Sequence, residues 1–262
     1  MSKYKVLFLD IDGTIIKSDD SIDKTTITAI QQAQKVGIEV FLATGRPLHE
    51  IRELADLLKV NSLIGYNGAF AIYQGKDLFR EPMKKESVKQ FIDIAKKYQH
   101  ELVFYTKDQN IFTDLEADCV KEFIVKFHLH KNDTYLPTND YEVLGMTLIN
   151  VESEEIALYK MEDEIHLSQV NLEGMRHCYD VIRDKVNKGI AVQYILEHLG
   201  LSKESAIAFG DGLNDKEMLM SVGEGFAMGN GHPDLFQYVK HKTTTVNDSG
   251  IFNGLKTLGI VE

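Results

Sequence analysis

Four consecutive apolar residues, Val6-Leu7-Phe8-Leu9, run directly into Asp10-Ile11-Asp12-Gly13-Thr14. A strand exposed on one face alternates apolar and polar side chains. One with no alternation is buried on both faces, which is the condition of a parallel sheet sandwiched between helices. Parallel neighbours need crossover connections, usually helical. The rest of the N-terminal third supplies them. Ser21 can cap a helix running to Val36, ended by Gly37. Ile38 to Leu42 reads as a second strand, Pro47 suits the first turn of a helix through Leu58, and Ser62 to Gly65 reads as a third strand.

The rhythm breaks after Glu81-Pro82. A helix over Ser87–Tyr98, a hairpin over Leu102–Asp114 and a helix over Ala117–Phe127 come next. Two strands, Val143–Val151 and Val170–Ile182, then flank a helix over Glu154–Ile165. The strand–helix alternation resumes near Lys188, with a helix over Gly189–Leu199 and a strand over Ser205–Phe209. A helix beginning at Glu217 and a strand over Gly225–Met228 follow. The expected organisation is an α/β core of residues 1–82 and 184–262, interrupted by an α+β insertion of residues 83–183.

Composition bounds the partners. The 262 residues carry 29 basic and 40 acidic side chains, a net charge of −11. Such a surface disfavours nucleic acid and anionic membranes, so any small anionic substrate requires a local positive site. The two cysteines, Cys119 and Cys178, show no metal-ligand spacing and read as thiols of a reducing compartment. No apolar run reaches membrane-spanning length, and the expected location is cytoplasmic.

Chemistry concentrates at the expected strand ends. Asp10 and Asp12 follow the first strand, where open α/β sheets bind ligands. Gly210-Asp211-Gly212-Leu213-Asn214-Asp215 follows the Ala206–Phe209 strand. If those strands are neighbours, four carboxylates converge and require a cation. An all-oxygen ligand set without His or Cys suits Mg²⁺. Thr44-Gly45-Arg46 follows the second strand, Asn67-Gly68 the third, and Lys188 opens a helix, where phosphate binds well. Each also has a plain structural reading. Thr44 can cap a helix, Arg46 can pair with a surface acid, Asn67 can serve its Asn-Gly turn, and Lys188 can be solvated.

Taken in order, six segments resemble the haloacid dehalogenase superfamily, in its Cof-type sugar-phosphatase group. They are Asp10-Ile11-Asp12-Gly13-Thr14, Thr44-Gly45-Arg46, Tyr66-Asn67-Gly68-Ala69, Lys188-Gly189, Gly210 to Asp215, and Ala227-Met228-Gly229-Asn230. Gly231 departs from the family's usual Ala, and residues 246–251 follow its C-terminal segment loosely. The resemblance implies a Rossmann-like core with an inserted cap that selects substrates. It implies Asp10 as nucleophile and Mg²⁺ ligand, and Asp12 as general acid/base with its backbone carbonyl on the metal. Asp211 and Asp215 would complete the metal site. Thr44, with Gly45 and Arg46, Asn67, Lys188 and Asn214 would hold the phosphoryl group and substrate. The implied activity is hydrolysis of small phosphate monoesters, sugar phosphates first, through a phosphoaspartate.

Three other functions share parts of this pattern. A phosphomutase would have a related core. A signalling receiver also phosphorylates an Asp on a parallel sheet, but its acceptor follows a later strand, where Thr44 and Asn67 stand here. A calcium loop echoes Asp-x-Asp-Gly, yet Gly13 comes too early for an EF-hand.

Overall fold

The computed structural model describes residues 3–170 and 172–262. The chain divides into two units. The first comprises Met1–Arg46, Arg52–Phe79 and Asn187–Glu262, and the second Pro47–Ile51 and Arg80–Val186.

In the first unit, β1 (Val6–Leu9) is followed by α1 (Lys24–Lys35), β2 (Glu39–Ala43), α2 (Arg52–Leu58) and β3 (Ser62–Gly65). Two strands absent from the sequence reading come next, β4 (Phe70–Tyr73) and β5 (Lys76–Arg80). The second unit holds α3 (Lys85–Tyr98), β6 (Glu101–Tyr105), β7 (Asn110–Phe112), α4 (Asp118–Lys126), β8 (Asn132–Thr134), β9 (Gly145–Ile149), β10 (Ile165–Gln169) and β11 (Tyr179–Arg183). The chain then returns to the first unit with α5 (Lys188–His198), β12 (Ala206–Gly210), α6 (Lys216–Met220), β13 (Glu224–Ala227), β14 (His241–Lys242) and α7 (Gly250–Thr257).

The core sheet has the order β14-β13-β12-β1-β2-β3-β4-β5. It is parallel from β14 to β3, and β4 turns back antiparallel on β3. Its central strands lack alternation because both faces are covered. Val6 and Phe8 pack into a cluster with Val192, Ile195 and Leu196 of α5 and Met218 and Leu219 of α6. On the other side Phe209 and Phe226 stack with centroids 4.6 Å apart. Gly254 of α7 comes so close to the Phe209 ring that a Cβ there would overlap it. The second unit is a six-stranded sheet, β10-β11-β9-β6-β7-β8, with α3 packed into one apolar cluster and α4 into another.

Several local expectations are corrected. The N-cap position of α1 is Asp23, because Ser21 spends its hydroxyl on Asp19 (2.6 Å) in a tight turn. Pro47 does not open a continuous helix to Leu58. A single 3-10 turn, Leu48–Glu50, breaks at Ile51 before α2 begins. Glu154–Ile165 is no helix either. Only a 3-10 turn forms, at Ile156–Tyr159, and Ile165 already belongs to β10. The strand expected over Val170–Ile182 includes Asn171, outside the described residues. Its remainder is a turn through Gly174, whose φ of +86° suits glycine, and then β11. Apolar content marked this region as ordered but did not separate strand from helix.

Candidate active site

Sheet register assembles the site. Leu9 pairs with Phe209 on one side and Leu42 on the other, and Ala43 pairs with Ile64. The residues just past these pairs, Asp10, Gly210-Asp211, Thr44 and Tyr66-Asn67, therefore emerge together at the carboxyl edge. The Thr44 and Asn67 segments are knitted to each other. Thr44 N–H donates to the Ile64 carbonyl (2.8 Å), and Asn67 N–H to the Thr44 carbonyl (3.1 Å). Asn67 itself sits at φ +53°, a left-handed conformation Asn tolerates better than most residues.

Lys188 enters from the first position of α5, a helix started by the Asn187 side chain accepting from Ile190 N–H (2.9 Å). Its ammonium is fully buried, with Nζ 2.6 Å from Asp10 Oδ1 and 2.6 Å from Asp215 Oδ1. Asp215 uses its other oxygen as well. Oδ2 accepts from the N–H groups of Asp211 and Gly212, both at 3.0 Å. Asp215 thus ties the loop after β12 to Lys188.

Asp10, Asp211 and Asp215 bring carboxylate oxygens within 4.8 Å of one another. Three carboxylates face one ammonium there, so the cluster keeps an excess of negative charge. Burial, then the charge of Asp215, push the Asp10 carboxyl well above its ordinary range despite Lys188. The same two causes push Asp211 up to about 6. Burial alone would lower the Lys188 ammonium, but Asp10 and Asp215 hold it above its usual value. An all-oxygen, over-negative cluster fits a divalent cation, and among the described residues no second ammonium or guanidinium enters it.

Asp12 stands apart from that trio. Its carboxylate is half-exposed and gripped by Arg46, with Nε 2.8 Å from Oδ2 and a second contact from Arg46 to Oδ1. Arg46 is fixed in turn, its N–H donating to Thr44 Oγ1 (3.0 Å). Asn214 Nδ2 donates to Asn67 Oδ1 (3.1 Å), and the Asn67 amide lies beside Gly45, so this group forms a second, uncharged rim.

Two contributors were not assigned a role from sequence. Thr14 Oγ1 donates to Asp211 Oδ1 (3.4 Å) from full burial. Asn230 donates to the Gly13 carbonyl (2.8 Å) and accepts from Val246 N–H (2.8 Å), bracing the turn that carries Asp12. Asn230 lay within a recognised segment, but nothing in its spacing showed that it reaches Gly13. Gly13 is required at its place. Its φ is +78°, and a Cβ would overlap the Asp211 carboxylate.

Residues 7–255 match the family of haloacid dehalogenase-like hydrolases. The chain belongs to that family. Its fold and aspartate cluster make it a hydrolase of the phosphatase type. The 5-amino-6-(5-phospho-D-ribitylamino)uracil phosphatase YitU of Bacillus subtilis is 28% identical, over 97% of this chain and 97% of that one. A hypothetical protein from Geobacillus kaustophilus superposes with a TM-score of 0.91 at 27% identity, covering 98% of this chain and all of the other. The sugar phosphatase BT4131, of subclass IIB, superposes at 0.83 with 27% identity, covering 98% and 100%. Among the described residues no helix of this hydrolase is long and apolar enough to cross a membrane.

Proposed function

We propose that this chain is a Mg²⁺-dependent phosphatase that transfers the phosphoryl group of a small phosphate monoester to Asp10 and then to water. The carrying observation is the buried group of Asp10, Lys188, Asp211 and Asp215 at the carboxyl edge of the sheet.

Asp10 and Asp211 would hold the cation, with the Asp12 carbonyl. Asp215, whose two oxygens are already engaged, would support the site from behind. Bound there, Mg²⁺ would neutralise phosphoryl oxygen charge and let an anionic substrate approach. The rest falls to the chain's own residues. An Asp10 oxygen forms a bond to phosphorus as the bond to the leaving oxygen breaks. Asp12 gives its proton to that oxygen. Water then attacks the phosphoaspartate, Asp12 takes the water's proton, and Asp10 is restored with release of phosphate. Lys188 and the Thr44 turn supply positive charge and donors to the phosphoryl oxygens. Arg46 and the Asn67–Asn214 pair flank it. The Arg46 fork orients the Asp12 carboxylate through both of its oxygens.

For substrate, the reading is a phosphate on a polyhydroxylated carbon skeleton, a sugar or sugar-alcohol phosphate. Support comes from two relatives of similar identity, one named for a phosphoribityl compound and one for sugars. Residues 83–183 would select among them. The test is a panel of phosphorylated metabolites ranked by kcat/KM, beside p-nitrophenyl phosphate with and without chelator. Expected are metal-dependent release of inorganic phosphate and a ranking led by sugar phosphates. Full activity after metal removal would overturn the cation assignment. Phosphate retained on a bisphosphorylated sugar would make the enzyme a phosphomutase instead.

A further inference from the structure

The turn after β1 is shaped by its own main chain. The Ile11 carbonyl accepts from Ile15 N–H (2.9 Å) and Ile16 N–H (2.8 Å), and Gly13 N–H donates to the Ile16 carbonyl (2.9 Å). These bonds close the turn on itself. Its softest point is Gly13, next to Asp12, because a residue without Cβ crosses readily between positive and negative φ. Gly13 stands at φ +78°. Its N–H is pinned from inside the turn, and its carbonyl is pinned from outside by Asn230 (2.8 Å).

Asn230 follows β13, which lies two strands from β1 in the core sheet. The short turn that carries it is fastened on both sides. Met228 N–H donates to the Gly210 carbonyl (3.0 Å) and His232 N–H to the Asp211 carbonyl (2.8 Å), while Gly229 N–H donates to the Thr244 carbonyl (3.0 Å). From this fixed base Asn230 Nδ2 donates to Gly13, and Oδ1 accepts from Val246 N–H (2.8 Å). Nδ2 also lies 3.4 Å from Asp211 Oδ2. A carboxamide suits the place because it carries donors and an acceptor on one rigid plane without charge. A carboxylate would have no hydrogen for the Gly13 carbonyl and would add a charge beside Asp211. An ammonium could not accept from Val246. The Asn230 side chain is exposed, so its bonds replace bonds to water and add little to folding. What they set is direction.

We propose that Asn230 is a positioning residue for proton transfer, whose amide fixes the Gly13 carbonyl and through it the direction in which the neighbouring Asp12 is presented. All the residues in this linkage belong to the first unit. The inference rests on the reading of Asp12 as the proton carrier given above.

The experiment is a double-mutant cycle in the full chain, read by rapid quench on p-nitrophenyl phosphate and by steady-state turnover of an alkyl phosphate. On the alkyl phosphate, Asn230→Ala should lower kcat on the order of tenfold, the scale of a slightly misplaced group, with KM changed less than about twofold. On p-nitrophenyl phosphate the leaving group needs no proton, so the first step should stay within about twofold of wild type. The second step, which needs Asp12 as base, should slow on the order of tenfold, so that phosphoenzyme accumulates. In the Asp12→Asn background, Asn230→Ala should change either rate by less than about twofold, because its effect passes through Asp12. Its thermal midpoint should fall by no more than about 4 °C, and the rise produced by Mg²⁺ should match wild type. Asn230→Asp, which still accepts from Val246 N–H but cannot donate to Gly13, should show the same kinetic pattern at saturating Mg²⁺. It serves if the alanine variant does not fold. Equal slowing of both steps, a loss that persists in the Asp12→Asn background, or wild-type kinetics in both Asn230 variants overturns the proposal while leaving Asp12 in its role. A Mg²⁺ response lost in Asn230→Ala also overturns it, because the residue would then act through the cation. Wild-type turnover in Asp12→Asn alone overturns the reading beneath it as well.

Discussion

Lys188 and the carboxylates around it set the electrostatic balance of the site. The ammonium is buried and meets one oxygen each of Asp10 and Asp215. Replacing it by Met keeps much of the volume but leaves two buried carboxylates facing each other. Breaking such a pair by removing one partner costs about 3–5 kcal/mol. Urea unfolding of Lys188→Met at neutral pH should show a loss of this size with the slope preserved. A loss below about 1 kcal/mol would mean that the three charges are not paired in solution. The arrangement also separates the two aspartates after β1. Asp10 is in the charged cluster, whereas Asp12, two residues on, faces the Arg46 fork.

At the scale of elements, β13 and β14 are joined at the strand edge through Glu224. Its carboxylate takes Lys240 Nζ (2.8 Å), His241 Nε2 (2.6 Å) and the Tyr4 hydroxyl (3.2 Å). Burial opposes the charge, but Lys240 and His241 prevail and hold the carboxyl down at about 2. The folded value lies below the unfolded one, near 4.5, so the unfolded state binds the proton more readily. The contribution is therefore whole above the unfolded value and declines as pH falls from about 4.5 toward 2. Unfolding free energies of wild type and Glu224→Gln should differ most at pH 6 and converge as the pH is lowered to 3. A constant gap over that range would contradict the assignment.

How far the sequence reaches is clearest among these elements. The β1 and β12 ends were legible because an unbroken apolar run fixes a buried strand, and the carboxylates follow it directly. Strands β4 and β5 were not, since the second is exposed and polar at most positions and offers no run to read. The segment 154–182 misled because its apolar residues fit both periods. The hydrogen bonds that Glu50 accepts from Asn110 and His130 were invisible for a different reason. Asn110 and His130 lie 60 and 80 residues away from it, and no spacing rule connects them.

For the whole molecule, the over-negative cluster should make metal binding a source of stability. At a free Mg²⁺ concentration about a hundredfold above its dissociation constant, linkage amounts to about 2.7 kcal/mol. For a chain of this length that raises the thermal midpoint by several degrees. The rise should vanish in Asp211→Asn, whose carboxylate is one of the three in the cluster. An equal rise in that variant would place the cation elsewhere. The central claim is that the phosphoryl group rests on Asp10, with Asp12 moving protons. It is tested most directly by rapid-quench mass spectrometry of Asp12→Asn turning over p-nitrophenyl phosphate. Nitrophenolate leaves without a proton, so the first step proceeds, while the second lacks its base. The account predicts a burst of nitrophenol and an added phosphate on the peptide carrying Asp10, with neither in Asp10→Asn. Phosphate found on Asp12 in the Asp10→Asn protein, or bursts of equal size in both variants, would contradict it.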